Sequence, residues 1–270
     1  MKTTSKSFAP KRDVTLFTKG IGAIAVSLMA PHATAAVVDL GTAANFAVLA
    51  GTGITIAGPV NSTFITGDIG SHPNSTNITG LENLVLNGTN HGGDAVTQEA
   101  KTDLAAAYLQ ATLLPADVSY GAGHVLVGTL APGVYNSSST FDIATGTVLT
   151  LDAGGDPNAF WVFQAGTSLI TGSDSLIELV NGASAANVYW QVGSSATLGT
   201  DTEFVGSILA SESITLNTGA TIIEGRALAM NGLVTLDNNT IVIPEPGSAL
   251  LLGAGLMIGL FRRRVASKAC

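Results

Sequence analysis

Threonine recurs at one position of a short apolar pattern in the second half of the chain. The segments Ala196–Leu198, Ile214–Leu216 and Val234–Leu236 each place one threonine between two apolar residues. On a β-strand alternate side chains point to opposite faces, so each apolar pair points inward and each threonine outward. Strand threonines have few rotamers, and neighbouring strands lie about 4.8 Å apart. Rows of their methyl and hydroxyl groups can order water, which is binding chemistry rather than catalysis.

The acidic residues do not form the pattern that a hydrolase requires. Glycoside hydrolysis needs two carboxylates held roughly 5–10 Å apart, but the acidic residues here are scattered singly. Asp68, in Thr-Gly-Asp-Ile-Gly, is predicted to be a turn or capping group, and Asp152 and Asp156 flank two glycines as turn residues. Because parallel β-helices also host polysaccharide lyases and hydrolases, an enzyme acting on polysaccharide stays the third hypothesis, and we predict no catalytic residue.

The sequence predicts neither a metal site nor a cofactor. His72, His91 and His124 are separated by loops and lack metal-ligand spacing, so we interpret them as surface or turn residues. The chain contains no nucleophile elbow, phosphate-binding loop or dinucleotide fingerprint. Trp161 and Trp190 occupy matched positions of a repeat, which favours core packing over stacking on a sugar.

The body of the chain, residues 36–243, is strongly acidic. Its two basic residues, Lys101 and Arg226, stand against 17 acidic ones, which gives a net charge of −15. Such a surface repels phosphate backbones, so nucleic acid is excluded as a partner. The acidic charge could attract Ca²⁺, although no calcium-loop spacing is present. The only cysteine is Cys270, so the body must be stabilised without disulfides.

Self-similar segments predict a β-solenoid. Asn158–Gln164 matches Asn187–Val192 at an offset of 29 residues, which sets Trp161 opposite Trp190. At the same offset Ser168–Thr171 corresponds to residues 197–200, and the threonine pattern then continues at spacings of 18 and 20 residues. Self-similarity at about the length of one coil is typical of a β-helix.

A second apolar set predicts two short strands in each coil. Phe204, Ile222 and Ile241 recur at similar spacings, and each follows a polar residue. These residues are expected to point into the core from another side of the coil. Turns rich in glycine and small residues would separate the two strands.

One segment has helical rather than β periodicity. A helix is predicted over about 94–114, with Asp94 as the N-cap and Pro115 as the stop. Its apolar stripe comprises Ala100, Leu104, Ala107, Tyr108 and Ala111. We expect this stripe to cover one side of the solenoid.

Ordered phrases through the body resemble the ice-binding-like family of bacterial and fungal antifreeze β-solenoids. They include Leu40–Ala50, Ile65–Gly70, Leu130–Tyr135, Asn187–Thr197 and Gly225–Ala229. The resemblance implies a mainly β, irregular β-solenoid of triangular cross-section, with one long α-helix packed alongside. It also implies that the coils are not stacked in chain order. Active members bind ice through a fairly flat face rich in threonine, serine and alanine.

The resemblance also directs attention to threonine phrases of the form T-A/G-x-T/N. Thr218–Thr221 and Thr52–Thr55 fit this phrase, and Thr171–Ser173 and Thr200–Thr202 resemble it more loosely. The principal ice-binding candidates are Thr171, Ser173, Thr200, Thr202, Thr218, Thr221 and Thr240. The alternative ladder is Thr150, Ser168, Thr197, Thr215 and Thr235. Glu203 and Glu224 are expected to interrupt the face. Because threonine favours strands in general, neither set implies ice binding by itself.

Both ends of the chain look like targeting segments. Residues 1–35 combine basic residues, an apolar stretch and Ala33-Thr34-Ala35, which predicts a secretory signal peptide. Residues 244–270 resemble a PEP-CTERM sorting segment, in which an apolar transmembrane helix precedes a basic stop. The sorting motif comprises Pro244, Glu245, Pro246, Arg262, Arg263 and Arg264. A plain C-terminal membrane anchor is the alternative.

These observations predict a non-enzymatic protein exported from a Gram-negative bacterium. It would adsorb to the ice/water surface as a monomer, at the cell surface or outside the cell. The C-terminal helix would anchor it transiently, and signal peptidase and an exosortase-like protease would process it. The alternative is a structural protein of the cell surface or biofilm matrix on the same fold, with extracellular polysaccharide as partner.

Overall fold

The computed structural model describes residues 37–74 and 77–243, which form stacked coils of parallel β-strands with one long α-helix. The strands fall into three ladders, each lying along one side of the stack. The threonine ladder consists of β2 (Gly53–Ala57), β5 (Ile78–Thr79), β9 (His124–Val125), β12 (Phe141–Ile143), β15 (Leu169–Thr171), β18 (Ala196–Leu198), β20 (Ile214–Leu216) and β22 (Leu233–Asp237).

The other two ladders are joined by two long strands, β19 (Glu203–Ala210) and β21 (Thr221–Ala229), whose two halves belong to different ladders. The helix-covered ladder takes their C-terminal halves and β1 (Phe46–Ala50), β4 (Asp68–Ser71), β7 (Asn90–Gly92), β8 (Val118–Tyr120), β11 (Gly133–Ser137), β14 (Trp161–Ala165) and β17 (Val188–Val192). The third ladder takes their N-terminal halves and β3 (Thr63–Thr66), β6 (Leu84–Asn87), β10 (Gly128–Leu130), β13 (Val148–Asp152), β16 (Leu176–Val180) and β23 (Thr240–Val242).

Each complete coil therefore contributes three strands, and the predicted two per coil is wrong; β7 is followed by α1 and belongs to an incomplete coil. The chain passes from the helix-covered ladder to the threonine ladder and then to the third ladder before it starts the next coil. The strand that the sequence did not reveal is buried on both faces, as in β14 and β17. Such strands read as continuous apolar runs without the alternation that identifies a half-buried strand.

The coils do not stack in chain order, as the resemblance implies. The first coil in the sequence lies between the last coil and the second one, because β2 pairs with β22 on one side and β5 on the other. In the third ladder β3 likewise lies between β23 and β6. Residues about 180 positions apart thus become direct neighbours.

The predicted 29-residue offset between two coils is wrong by two residues. In the structure Trp161 lies opposite Val188, and Phe163 lies opposite Trp190. The real offset of 27 residues also brings Ile170, rather than Ser168, opposite Thr197. A shift of two keeps every side chain on the same face of its strand, so the error was invisible to the alternation of apolar and polar residues.

A row of aromatic rings runs through the interior of the solenoid. Phe163 stacks on Trp190 with ring centroids 3.9 Å apart and planes 11° apart, and Trp190 then contacts Phe204. Tyr135 extends the row on the other side of Phe163. Trp161 and Trp190 are both buried, so core packing, as predicted for the two tryptophans, is their role in the described structure.

The α-helix, α1 (Ala95–Leu113), lies where the sequence predicts it. The Asp94 side chain accepts a hydrogen bond from the Thr97 N–H at 2.9 Å, which makes Asp94 the N-cap. Four small or apolar residues of the helix, Ala100, Leu104, Ala107 and Ala111, are buried. They pack against the outward side chains of the helix-covered ladder: Phe46, Leu49, Val134, Val162, Tyr189, Leu209 and Leu228.

Both basic residues of the body are used to close the helix-covered side. Lys101 Nζ donates to the carbonyl oxygens of Ala229 and Met230, and Arg226 donates twice to the Ala44 carbonyl oxygen. Burial lowers the pKa of Lys101 to about 8 and that of Arg226 to about 10. Among the described residues, neither cation forms an ion pair with an acidic side chain. The negative charge of the carboxylates on the described surface is therefore largely unneutralised.

Among the described residues, no helix combines the length and the apolar character needed to span a bilayer. The predicted signal peptide and the sorting segment lie outside the described residues.

Candidate functional site

Five threonines form one unbroken outward column on the threonine ladder. The strand register places Thr79 beside Thr55, Thr55 beside Thr235, Thr235 beside Thr215, and Thr215 beside Thr197. Four inter-strand spacings of about 4.8 Å give this threonine column a length of about 19 Å. We call the outward surface of this ladder the threonine face.

The column points outward because its neighbours along each strand fill the core. The residues on either side of the threonines are buried: Ile54, Ile56, Ala196, Leu198, Ile214, Leu216, Val234 and Leu236. The alternation of strand side chains then leaves every intervening threonine on the surface. The strands are short and regular in register, so the spacing of the threonines is fixed by the backbone ladder.

The hydroxyl groups of the column are free for solvent. None of the five side chains makes a hydrogen bond to another group within the described part of the chain. Thr79 is exposed, and the other four are partly exposed. Each hydroxyl can therefore donate to and accept from water, while its methyl group lies beside the hydroxyl on the same surface.

A row of serines flanks the column on one side. Ser168, Ser195 and Ser213 each precede a strand of the ladder. Ser195 Oγ accepts the Ser213 N–H at 3.2 Å, and Ser213 Oγ accepts the Leu233 N–H at 3.2 Å. These hydroxyls connect successive coils, so they fix the register beside the column rather than add free groups to it.

In the remaining three coils the position of the threonine column is occupied by residues other than threonine. Beyond Thr197 the same position is occupied by Ile170, Asp142 and Val125. Ile170 and Val125 are exposed. The threonine face therefore has a hydroxyl-bearing part of five coils and a part of three coils with apolar and acidic side chains.

The structure does not bring the seven principal candidates together on one face. Thr171 and Thr202 are buried and bond to each other through their hydroxyls at 2.9 Å. Ser175 Oγ lies 3.3 Å from the Thr202 hydroxyl, and the Gly199 N–H donates to Thr171. These side chains form an internal polar cluster where the threonine ladder turns into the third ladder, so they cannot touch an external surface.

The other five principal candidates divide between turns and the third ladder. Ser173, Thr200 and Thr218 lie in the turns that leave the threonine ladder. The Thr218 hydroxyl donates to the Asp237 carboxylate. Thr221 and Thr240 are neighbours on the third ladder, where Glu203 and Phe64 lie on either side of them.

The alternative ladder is partly assembled in the structure. Thr197, Thr215 and Thr235 lie in one column, whereas Ser168 lies in the flanking serine row and Thr150 lies on the third ladder. Sequence reasoning missed Thr55 and Thr79 as members of the column. The alternation in Gly53–Ala57 was a usable signal for Thr55, but nothing local indicated that this strand pairs with β22.

Of the two glutamates that were expected to interrupt the face, Glu203 lies in line with the principal candidates Thr221 and Thr240, and neither glutamate lies on the threonine face. Glu203 lies on the third ladder, and the exposed Glu224 lies within β21 after its third-ladder half. The charged group that does occur in line with the threonine column is Asp142. Thr52–Thr55 and Thr218–Thr221, which fit the same phrase, lie at different corners of the coil.

His91 is a partly exposed strand residue rather than a turn residue, and it has a specific structural role. It lies on β7 with Nε2 3.2 Å from Asp68 Oδ2 and Nδ1 3.1 Å from Asp94 Oδ2. Burial alone would lower the pKa of His91, but the two carboxylates outweigh it, so the pKa lies above its ordinary value. Through these two contacts His91 links the start of α1 to β4. Among the described residues, no three or more histidine, cysteine, aspartate or glutamate side chains are arranged so that they could hold a metal ion.

The remaining polar candidates have structural positions. Asp152 accepts the Gly154 N–H at 2.8 Å and the Asn181 amide at 2.7 Å, and Asp156 accepts the Asn158 N–H at 2.8 Å. Asp152 is the last residue of β13 and its carboxylate accepts from the turn that follows, whereas Asp156 lies between two turns. His124 is partly buried and stacks on Tyr120 at a centroid distance of 3.5 Å.

Comparison with known proteins places this chain in a family. The model of the family described as "Ice-binding-like" matches residues 48–242. The chain belongs to this ice-binding-like family. A relative named "Ice-binding protein" from Nostoc sp. (strain HG1) is 46% identical over 258 residues, which cover 89% of this chain and 92% of the relative. Another of that name, from Flavobacterium frigoris (strain PS1), is 36% identical over 77% of each chain.

Solved structures of the family superpose on the described fold. The ice-binding protein of the Antarctic ascomycete Antarctomyces psychrotrophicus matches with a TM-score of 0.72 and 40% identity, over 77% of this chain and 99% of that chain. An ice-binding protein from an Antarctic biological consortium matches with a TM-score of 0.72 and 45% identity, over 77% and 91%. Because the match covers 99% of the ascomycete chain, that chain consists almost entirely of this domain.

Proposed function

We propose that the protein adsorbs to ice through the threonine column of the threonine face. The observation that carries this proposal is the set of five threonines, in register on neighbouring strands, whose hydroxyls have no partner within the described residues. The family membership of the chain supports ice as the ligand. The chemistry is adsorption without bond making or breaking.

The mechanism follows from the regularity of the column. Strand backbones hold β-branched threonine in few rotamers, so methyl and hydroxyl groups repeat at the inter-strand spacing. Apolar methyls restrict the orientations of nearby water, and the free hydroxyls hold part of that layer by hydrogen bonds. Each contact is weak, so the whole array must meet ordered water at once. Adsorbed protein then limits crystal growth or recrystallisation.

The test compares two threonines of one coil that differ only in the ladder they occupy. Residues 36–243 are expressed as wild type, as Thr235→Tyr on the threonine face and as Thr240→Tyr on the third ladder. Thermal hysteresis and ice recrystallisation inhibition are measured, with circular dichroism as the fold control. We expect activity in the wild type and in Thr240→Tyr and a severe loss in Thr235→Tyr. A folded wild type without activity would refute the proposal.

The proposal includes the finer features that the resemblance implies. The first of these is a triangular cross-section, which is supported by the three ladders to which each complete coil supplies one strand. The protein is exported from a Gram-negative bacterium by the segment over residues 1–35. Residues 244–270 sort it at the membrane through an exosortase-like protease, and a monomer acts at the cell surface or outside the cell. Mass spectrometry of the protein recovered from the medium and the membrane would reveal both ends, and an uncut chain in both fractions would refute the processing.

A structural role in the cell surface or biofilm matrix is the second candidate function. The observation that favours it is the interruption of the threonine column by Ile170, Asp142 and Val125. A folded body without ice activity that is retained on matrix polysaccharide would support this candidate. Full ice activity in the wild type would remove its basis.

A further inference from the structure

A polar cleft lies on the helix-covered side of the solenoid. It is formed between the C-terminal half of α1 and the ends of β11, β14 and β17, and it has a volume of about 380 Å³. The side chains and backbone that line it belong to Tyr108, Thr112, Asn136, Gln164, Ala165, Gly166, Gln191 and Gly193. This volume falls at the lower end of the range of small-molecule sites.

The floor of the cleft is a row of amide side chains. Asn136 lies opposite Gln164, and Gln164 lies opposite Gln191, in three successive strands of the helix-covered ladder. Gln164 and Gln191 are each only 5% exposed. Buried amides are costly unless they are hydrogen-bonded, so a row that contains two of them beside the partly exposed Asn136 requires an explanation.

Helix attachment explains one of the three amides. Gln164 Nε2 donates to the carbonyl oxygens of Ala111 at 2.8 Å and Leu114 at 2.9 Å, which satisfies the end of α1. Its Oε1 accepts from Asn136 Nδ2 at 3.3 Å. This glutamine has both ends engaged and holds the wall of the cleft in place.

The other two amides retain unused groups that face the cleft. Gln191 Nε2 donates to the Tyr108 hydroxyl at 2.8 Å, but within the described residues its Oε1 accepts no hydrogen bond. The Asn136 Oδ1 is likewise without a donor among the described groups. The Gln191 oxygen is not sealed from solvent, since the described buried atoms that lack a partner belong to other residues. Two acceptors and their neighbouring N–H groups are therefore available to a ligand.

The cleft carries no formal charge although the body is strongly acidic. Its lining offers amide, hydroxyl and backbone groups and an aromatic hydroxyl, with no lysine, arginine, aspartate or glutamate. A charged ligand would lose hydration without gaining an ion pair. A ligand with several neutral hydroxyls can instead both donate to the amide oxygens and accept from the amide N–H groups.

We propose that this cleft binds a unit of a neutral saccharide, with Asn136 and Gln191 as the hydrogen-bonding residues. Tyr108 forms the wall toward the helix, and Gln164 positions the row. The lining of the site includes none of the five threonines of the threonine column, so saccharide binding there would not use the ice-adsorbing side chains. The inference does not depend on ice adsorption, and it is tested on side chains that the ice assay does not involve.

The test uses the side-chain amide signals in ¹⁵N–¹H spectra of residues 36–243. D-glucose and dextran are the neutral probes, D-glucuronate is an anionic probe of the same ring size, and glycerol reports unspecific polyol contact. We expect saturable shifts of the Asn136, Gln164 and Gln191 amides with the neutral saccharides and little response to glucuronate or glycerol. Gln191→Leu should weaken saccharide binding by about tenfold, the loss expected from one hydrogen bond.

Matched variants separate binding from folding. Gln98→Leu, at an exposed glutamine of α1, should bind as the wild type does. Asn136→Ala gives a second reduction of binding if Gln191→Leu is poorly folded by circular dichroism. Thr235→Tyr should bind saccharide normally, which keeps this result distinct from the ice assay. Absence of saturable shifts with both neutral probes, or equal shifts with glycerol, would overturn the proposal.

Discussion

The threonine face and the outward surface of the third ladder are both built on parallel strands whose inward side chains are buried, but their outward side chains differ. On the third ladder the position in line with Thr221 and Thr240 is occupied in other coils by Val148, Leu176, Glu203, Phe64 and Val85. Phe64 is 49% exposed and Ile223, in the adjacent column, is 43% exposed. A stacked coil therefore supplies regular surfaces on both sides, and only one of them repeats a single small hydroxyl residue.

Because stacked coils of one fold carry two such different surfaces, the fold does not determine which residues occupy the outward positions. Inward positions of both ladders hold large buried residues such as Leu216 and Ile222, which the core requires. Outward positions contribute little to stability and are free to vary. Five successive threonines in one column, each with a free hydroxyl, therefore point to binding more strongly than their strand propensity does.

The largest expected loss of ice activity comes from a bulky substitution in the middle of the threonine column rather than at its end. Thr215 lies inside the threonine column, and Thr79 lies at its end. A tyrosine at position 215 interrupts contact on both sides, whereas Thr79→Tyr shortens the array by one coil. We expect Thr215→Tyr to remove most thermal hysteresis and Thr79→Tyr to leave most of it. Equal losses in two folded variants would mean that the column does not act as one array.

Replacing threonine by valine should affect stability at the buried Thr202 and ice activity at Thr215 on the threonine face. Thr202→Val removes a buried hydroxyl that bonds to Thr171, Ser175 and the Gly172 carbonyl oxygen, and it should cost about 1–3 kcal/mol in the free energy of unfolding. Thr215→Val, on the surface, should change stability by about 0.5 kcal/mol or less but should reduce ice activity. Urea unfolding of both variants measures the difference. A surface variant that destabilises the fold as much as Thr202→Val does would contradict the assignment of the two threonines.

Extending the threonine column should increase activity by a smaller amount. Replacing Ile170, Asp142 and Val125 by threonine would continue the hydroxyl row through three further coils. It also removes the carboxylate in line with the column. We expect higher thermal hysteresis at equal concentration and an unchanged fold. The control is the triple threonine variant of Val148, Ile223 and Phe64 on the third ladder, and an equal gain there would show that position is irrelevant.

The smallest expected effect concerns pH and the attachment of α1. The pKa of His91 is raised above its ordinary value of 6.5, so its stabilising contribution is complete below 6.5 and is lost as the pH rises through the folded-state pKa. The pKa of Asp94 is lowered by the Thr97 N–H and by His91, so its contribution is lost only at acidic pH. His91→Gln should therefore lower the Tm more at about pH 5 than at about pH 8. An equal loss at both pH values would refute the ion-pair role.

Local patterns made part of this structure predictable. The helix was placed correctly because Asp94 caps it, Pro115 ends it and small residues recur on one stripe. Thr197, Thr215 and Thr235 were correctly grouped because their strands follow one another in both sequence and space. Where neighbours in space are neighbours in the repeat, alternation and spacing suffice.

Two kinds of information were missing from the sequence. Thr55 joined the column through pairing with β22, about 180 residues away, and no local pattern encodes that insertion. Thr171 and Thr202 looked like surface residues because they are polar and lie beside turns. Their hydroxyls instead satisfy each other inside the corner, and alternation does not extend through a turn. The outward or inward direction of a corner residue therefore required the three-dimensional structure.

The central claim is that the column, rather than threonine content, carries ice adsorption. Thermal hysteresis of two triple variants tests it most directly: Thr197, Thr215 and Thr235 to valine on the threonine face, and Thr150, Thr221 and Thr240 to valine on the third ladder. Both remove three hydroxyls and keep side-chain volume. We expect a severe loss of thermal hysteresis in the first variant and near wild-type activity in the second. Loss of activity only in the second, or equal loss in both, would contradict it.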